Sequence, residues 1–384
     1  MTSIITNRRF GIPLHSESAQ VRMLASWSRT PGISVLEVKS LDRWATDWDR
    51  LAAQGQPASP FLRSWWLQAA GTSRDHFVLV FEGPRLIGGI ALERWQLGIV
   101  EYYRVLSAGV LCPDHTDLVA APDRVEYVTQ ALRAWFTSSG SRIVDLEGVS
   151  EDARVLQALP NSTASPLDIS IYSPLPGSAD AYLASRKRTL RQRVRKASRR
   201  SLAAGVEFRK LRPVEHPRAM DAYVALNRQR ADRAKLLRKE SVLRRAVDLG
   251  TRAGEVEIFS AEVSGTFIAL SIVFRVGSRL HGYQSARNID RAYDHVGTAL
   301  QMFVIECGIA EGMDELDFLR GDERHKYAFA DEQRQLLTVR SAHGAPGRYG
   351  LAILLALMRL RTMAGWVRRW LREARAKKFW VRVK

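Results

Sequence analysis

Two kinds of hydrophobic spacing alternate along the chain. Trp44, Trp48 and Leu51 follow the helical period and predict a helix over Leu41–Ala53, and Ser64–Ala70 predicts another. Phe77–Phe81 is a continuous apolar run of strand length, Glu82–Arg85 a turn around Gly83 and Pro84, and Leu86–Leu92 the returning strand. Val119–Ala121 stops at Pro122, Val125–Phe136 reads as an amphipathic helix, and Arg142–Leu146 as a strand. The second half restates this plan. Val256–Val263 and Thr266–Arg275 flank a turn at Ser264-Gly265, and Leu280–Ser285 follows. A helix then starts at Val296-Gly297-Thr298, with Leu300, Phe303, Val304, Cys307 and Ala310 at helical spacing and Gly312 at its end. Glu315–Leu319 is the last strand of the plan.

The turn glycines Gly83 and Gly265 and the strand aspartates Asp145 and Asp317 recur in the same order at similar spacing, which predicts a duplicated α/β unit. The expected organisation is a flexible extension over 1–33, a first α/β domain over 34–160, and a linker over 161–178 marked by three prolines and several serines. A second domain over 179–345 and a basic amphipathic helix over 346–384 complete it. The fold class is α/β, with two mixed-sheet units.

Composition adds little until charge is considered. Apolar residues make up 46% of 384, enough to fill real cores. Cys112 and Cys307 give no metal or disulfide spacing, so no metal is expected. Residues 1–26 contain no continuous apolar stretch of the secretory kind, so the expected compartment is the cytoplasm. The formal charge is +18, concentrated in two places. Ser185–Arg200 holds nine basic residues and no acid; Arg359–Lys384 holds ten basic residues and only Glu373. The rest is close to neutral, which predicts local anionic partners and argues against DNA binding. Leu190 and Val194 give the first stretch a thin apolar seam, and no aromatics interleave its arginines to stack bases. In the tail, the run Leu351–Met358 is too short to span a bilayer, and Trp366, Val367, Trp370 and Leu371 lie among arginines. That pattern suits a helix on the inner, anionic face of a membrane, or one packed back on the core.

The blocks from Ser185 to Phe329 resemble the GNAT-type acyltransferase domain of the Fem-like group, which includes the CelD-like proteins of cellulose and exopolysaccharide synthesis. Ser185-Arg186-Lys187-Arg188 with Leu190, Arg191, Arg195 and Gly205 resembles its basic opening helix. Leu226–Arg230 is similar to its small helix ending in arginine, and Gly297 to its loop glycine before the long helix. Asp317-Phe318-Leu319-Arg320-Gly321 with Glu323, Lys326 and Phe329 is similar to its closing signature. Ser59-Pro60-Phe61 with Trp65 or Trp66, and Asp114-His115-Thr116-Asp117, resemble the group's amino-terminal domain. His325 stands where a tyrosine is common and Ala231 where an aromatic is usual. The phosphate loop holds one glycine where typical GNAT enzymes have a fuller pattern.

The resemblance implies transfer from acetyl-CoA or another acyl-CoA to an amine or hydroxyl, by direct attack on the thioester. Val296, Gly297, Thr298 and Ala299 are the expected cofactor-binding residues, through backbone N–H groups at a helix start. Asp317, Lys326 and His325 are the candidates for chemistry. Asp317 lies inside an apolar strand and needs a partner, for which Arg320 and Lys326 are nearest in sequence. Arg188, Arg191, Arg230, Tyr283 and Arg320 are the candidates for substrate binding. The implied acceptor is anionic, such as a sugar precursor of a polysaccharide or envelope. Transfer from tRNA ranks below acyl-CoA, and a non-catalytic, membrane-associated assembly role is the alternative from another class.

Overall fold

The computed structural model describes residues 22–24, 32–55, 58–108, 111–138, 140–361 and 363. The first unit runs β1 (Arg22–Leu24), β2 (Ile33–Val38), α1 (Ala45–Ala52), α2 (Ser64–Ala70), β3 (Asp75–Glu82), β4 (Arg85–Leu97) and β5 (Val100–Val105). It continues with β6 (Val119–Ala120), α3 (Val125–Phe136), β7 (Ser141–Ser150), α4 (Val155–Ala158) and β8 (Thr163–Pro174). α5 (Ala179–Ser185) and α6 (Arg188–Ala203) lead to the second unit. That unit runs β9 (Glu207–Lys210), α7 (His216–Arg228), α8 (Ala234–Leu237), α9 (Glu240–Arg252), β10 (Val256–Val263), β11 (Thr266–Val276) and β12 (Arg279–Arg287). It ends with α10 (Val296–Ala310), β13 (Glu315–Arg320), α11 (Lys326–Phe329) and β14 (Glu332–His343). From β2 and from β9 onward, the order of the principal elements is the same.

All strands join one 14-stranded mixed sheet in the order β1-β2-β3-β4-β5-β7-β14-β8-β13-β12-β11-β10-β9, with β6 beside β4. Two pairs are parallel at equivalent places, β5 with β7 and β12 with β13. The units exchange their last strands. β14, from the second unit, pairs with β7 of the first, and β8, from the first, pairs with β13 of the second. β8 and β14 then pair antiparallel at the centre. Residues 161–178, expected as a linker, therefore hold a central strand. Its prolines sit where a strand tolerates them: Pro166 at a register shift against Leu336 and Leu337, and Pro174 at the strand end. Within the expected N-terminal extension, Arg22–Leu24 forms an edge strand on β2.

The two faces of the sheet carry different cores, because side chains alternate along each strand. Phe77, Leu79 and Phe81 of β3 face a core built from α1, α2, α7 and α9, shared by both units. Val78 and Val80 face the α3 side. On the α10 side of the second unit, Leu190, Val194 and Ala197 of α6 pack with Val296, Leu300, Val304 and Ile305. The apolar seam of α6 thus becomes a contact, and its basic residues are left outside.

Residues 345–361 are helical. The first turn is held, with Gly347 buried against Arg142, but Ala356 through Arg361 are all exposed. Among the described residues, no helix is long and apolar enough to cross a membrane. Trp366, Val367, Trp370 and Leu371, and most of the N-terminal extension, lie outside the described residues.

Candidate functional site

β12 and β13 pair at three positions, Arg279 with Glu315, Leu280 with Leu316, and His281 with Asp317, and then diverge. Two irregularities cause the divergence. β12 carries a register shift at Gly282–Gln284, and β13 one between Asp317 and Arg320, where Leu319 takes a left-handed φ of 59°. The Leu319 conformation is fixed from both sides, by its N–H donating to Asp317 at 2.7 Å and its carbonyl accepting from Lys326 at 3.2 Å. The result is a split in the sheet between Tyr283–Arg287 and Leu319–Arg320.

α10 begins beside this split. Its N-cap residue His295 makes no side-chain cap, and the N–H groups of Thr298 and Ala299 both reach the His295 carbonyl, at 3.1 and 3.3 Å. Among the described residues, the N–H groups of Val296 and Gly297 make no hydrogen bond. The side chains of Val296 and Ala299 are buried in the core, so these positions offer a ligand only backbone. A Cβ built on Gly297 would meet nothing closer than Arg287 Cδ, at 3.8 Å, so the approach is open. Free N–H groups and the helix dipole favour an anion here. The flanking cations point the same way. Arg287 pairs only loosely with Asp294, at 3.5 Å. Burial lowers the pKa of His295, and the nearby Arg200 lowers it further. Of the nine basic residues in 185–200, only Arg186 forms an ion pair among the described residues, with Asp331 at 3.1 Å. Arg188 is exposed and unpaired, and Arg191 caps the Ala184 carbonyl at 3.2 Å.

Asp317 and Arg320 lie deeper, and their partners come from the first unit. Asp317 is 1% exposed and accepts from His115 Nε2 at 2.8 Å and Ser170 Oγ at 2.6 Å, with Arg334 at 3.5 Å. The sequence expectation of Arg320 or Lys326 as its partner is therefore corrected. Arg320 instead binds Asp114, which is 1% exposed, through Nε and through its backbone N–H at 2.8 Å, and donates to the Pro113 carbonyl at 2.6 Å. Its guanidinium is thus already engaged, and it joins the units. Gly148, at φ 75°, allows this approach: a Cβ there would strike both the Pro113 carbonyl and the Arg320 side chain. Arg320→Ala, leaving the Asp114 carboxylate buried and unpaired, is expected to lower stability by about 3 kcal/mol in denaturant unfolding.

The electrostatics of the Asp317 pair follow from burial and proximity. Burial pushes the carboxyl up, but His115, by charge and hydrogen bond, together with His281 and Ser170, outweighs it, and the net shift is downward. Burial pushes His115 down, and Asp317 and Asp114 more than reverse that. His281 beside them is driven to about 3 by burial, so it is neutral, and neither of its ring nitrogens has a partner. His115 Nδ1 continues the chain to Ser150 Oγ at 3.0 Å. The cavity beside His115 and Ser150 measures about 10 Å³, room for one water and no larger acceptor.

The remaining sequence candidates do not share one contact. Lys326 is buried and ties the turn together, donating to the Arg320 carbonyl at 2.6 Å and to Glu323 at 2.9 Å. His325 is exposed. Its pKa is lowered first by partial burial, with Glu323 opposing and Lys326, Arg193 and Arg233 adding to the effect. Arg230 pairs with Asp232 at 2.8 Å. Tyr283 stacks on Phe274 at 4.4 Å and meets Phe61 and Trp66 edge-on. A larger cleft of about 550 Å³, lined by Lys39, Asp42, Gln68, Asp75 and Arg245, contains none of these residues. Sequence reasoning gave no role to His115, Asp114 or Ser170. The dense polar run Asp114–Asp117 was the signal for the first two.

Residues 184–327 match the family described as an acetyltransferase (GNAT) domain. Among solved structures, the chain is similar to FemX at 11% identity, with a TM-score of 0.57, covering 77% of this chain and 95% of that one. The C-terminal domain of a putative lysylphosphatidylglycerol synthetase from Agrobacterium fabrum gives 0.49 at 11% identity, over 82% and 95%. A tandem GNAT protein from the clavulanic acid biosynthesis pathway gives 0.44 at 12%, over 80% and 98%. Among curated proteins, none matches. At such identities the likeness to FemX shows the fold alone. The second half of the chain thus carries an acetyltransferase (GNAT) domain, and its reaction class is acyl transfer.

Proposed function

We propose that the second unit binds the pyrophosphate of an acyl-CoA at the start of α10 and lays its thioester in the split between β12 and β13. The acyl group passes to an amine or hydroxyl of an anionic polysaccharide or envelope precursor, as the CelD-like resemblance implies. The observation that carries this reading is the open split ending at the N–H groups of Val296 and Gly297, unpaired among the described residues, beside Arg287, which is held only by a loose ion pair with Asp294. Attack on the thioester carbonyl forms the new C–N or C–O bond and breaks C–S, and the leaving thiolate takes a proton. His325, exposed at the mouth with a lowered pKa, is neutral at pH 7 and is the proposed proton acceptor. Asp317, Lys326 and Arg320 hold the walls in place. The domains are proposed as 34–160 and 179–345, completed by each other's last strand. Calorimetric titration with acetyl-CoA and a longer acyl-CoA tests the donor. Micromolar binding that weakens with salt supports it; no binding to either contradicts it, and strong salt-dependent binding of tRNA in its place would favour aminoacyl transfer.

A second observation concerns location. Tyr349, Ile353, Leu357 and Leu360 are each at least half exposed on the helix of residues 345–361, next to the basic stretch from Arg359. Apolar side chains beside a run of basic residues suit docking on an anionic bilayer at the cytoplasmic face. Deleting 348–384 is expected to move the protein from the liposome pellet to the supernatant. Unchanged sedimentation with anionic liposomes would contradict it.

A further inference from the structure

The densest charge among the described residues stands on α6, and the fold does not balance it. α6 packs the seam of Leu190, Val194 and Ala197 into the core that α10 shares, and the two helices are in direct contact. Arg188, Arg193, Arg195, Lys196, Arg199 and Arg200 are left exposed, and none of the six forms an ion pair among the described residues. The C-terminal end of α6 lies at the start of α10. Arg200, in its last turn, adds to the burial that lowers the pKa of His295, the N-cap residue of α10. Arg193, two turns earlier, stands over the Phe329 ring at 5.9 Å. Apolar side chains are exposed on the same segments. Leu202, just beyond Arg200 on α6, is 81% exposed, and Ile289, in the loop that leads from β12 to α10, is 53% exposed.

A row of like charges repels itself, and a partner of the opposite sign relieves that repulsion. We propose that α6 docks an acidic carrier protein, which presents the acyl group to the split on a phosphopantetheine arm. The inference rests on the reading of the α10 start as the donor phosphate site, and names what stands behind that phosphate. A pantetheine thioester ends in a phosphate, and beyond it lies either the rest of coenzyme A or the surface of a carrier protein. The α6 face extends outward from that point. Its sixteen residues span about 24 Å, the length of one acidic helix laid beside it. Leu202 and Ile289 add apolar contacts to the charge, a mixture that a protein surface answers and a phosphate backbone does not. No aromatic side chain interleaves the arginines of α6, so the bases of an RNA would have nothing to stack on. In the transfer the acceptor forms its new C–N or C–O bond as C–S breaks, and the carrier departs as a thiol with the proton that the acceptor gives up.

The test titrates the full chain with an acidic acyl carrier protein, acetylated on its phosphopantetheine arm, and separately with acetyl-CoA. The acetylated carrier is expected to bind at least about tenfold more tightly than acetyl-CoA, with the advantage shrinking as salt rises. The double variant Arg195→Glu, Lys196→Glu should remove that advantage and leave acetyl-CoA affinity unchanged. Both side chains are exposed and make no hydrogen bond or ion pair among the described residues, so the variant should melt with the wild type. Gly297→Glu should weaken both donors, since they share the phosphate. A carrier that binds no more tightly than acetyl-CoA, an advantage that survives the double variant, or tighter binding of tRNA than of the carrier would overturn the docking face. A wild type that binds neither thioester would instead overturn the reading of the donor site on which it rests.

Discussion

Asp317→Ala is expected to destabilise the fold by about 3–5 kcal/mol, a large part of the stability of a typical domain. The substitution removes the acceptor for His115, Ser170 and the Leu319 N–H at once, and leaves the buried His115 imidazole without its hydrogen-bonded counter-ion. Because His115 belongs to the first unit and Asp317 to the second, the loss falls on the junction between them. The effect depends on pH. Asp317 has a lowered native pKa, so its contribution is present above its unfolded pKa near 3.9 and is lost as pH falls toward the native value. His115 has a raised native pKa, so its contribution is complete below about 6.5 and is lost as pH rises through the native value. Both express one interaction. The gap between wild type and variant should therefore be widest between about pH 4 and 6.5 and narrow on either side. Urea unfolding across pH reads this directly. A variant as stable as the wild type but slow in transfer would assign Asp317 to chemistry instead.

Gly297→Glu is expected to weaken acyl-CoA binding by about 100-fold or more while leaving the fold intact. The space above Gly297 is open, with only Arg287 Cδ within 4 Å, so the longer side chain meets no backbone. Within the first turn of a helix a carboxylate is itself tolerated, since it complements the dipole. The loss would thus come from competition: the new carboxylate occupies the unpaired N–H groups and repels a pyrophosphate. A hundredfold change corresponds to about 2.7 kcal/mol, the scale of losing one or two charge-assisted hydrogen bonds. Titration with acetyl-CoA, together with the melting temperature, separates this from unfolding. Equal affinity in the variant would move the donor elsewhere.

Much of the fold could be read from hydrophobic spacing. Ser64–Ala70, Val125–Phe136 and Val256–Val263 form with the bounds their periodicity sets, since each lies wholly between turn signals. The exchange of β8 and β14 was hidden. β8 carries two prolines and buries serines such as Ser170 and Ser173, and β14 is charged, with Arg340 reaching Asp145 on the adjacent β7 and Arg334 reaching Glu315 on β13, one strand beyond β8. A strand whose buried side is polar leaves no alternating apolar signal. The site divided in the same way. The start of α10 is local and was legible from Gly297. The partner of Asp317 was not: sequence proximity favoured Arg320 and Lys326, but the group that reaches it, His115, stands 202 residues earlier.

Hydrogen exchange with and without acetyl-CoA tests the donor site most directly, because it reports on the N–H groups assigned to the phosphates. The account predicts slowed exchange confined to residues 296–299 and to the facing edges of β12 and β13 around Tyr283–Arg287 and Leu319–Arg320. Protection absent there, or appearing at the cleft of Lys39, Asp75 and Arg245, would contradict it.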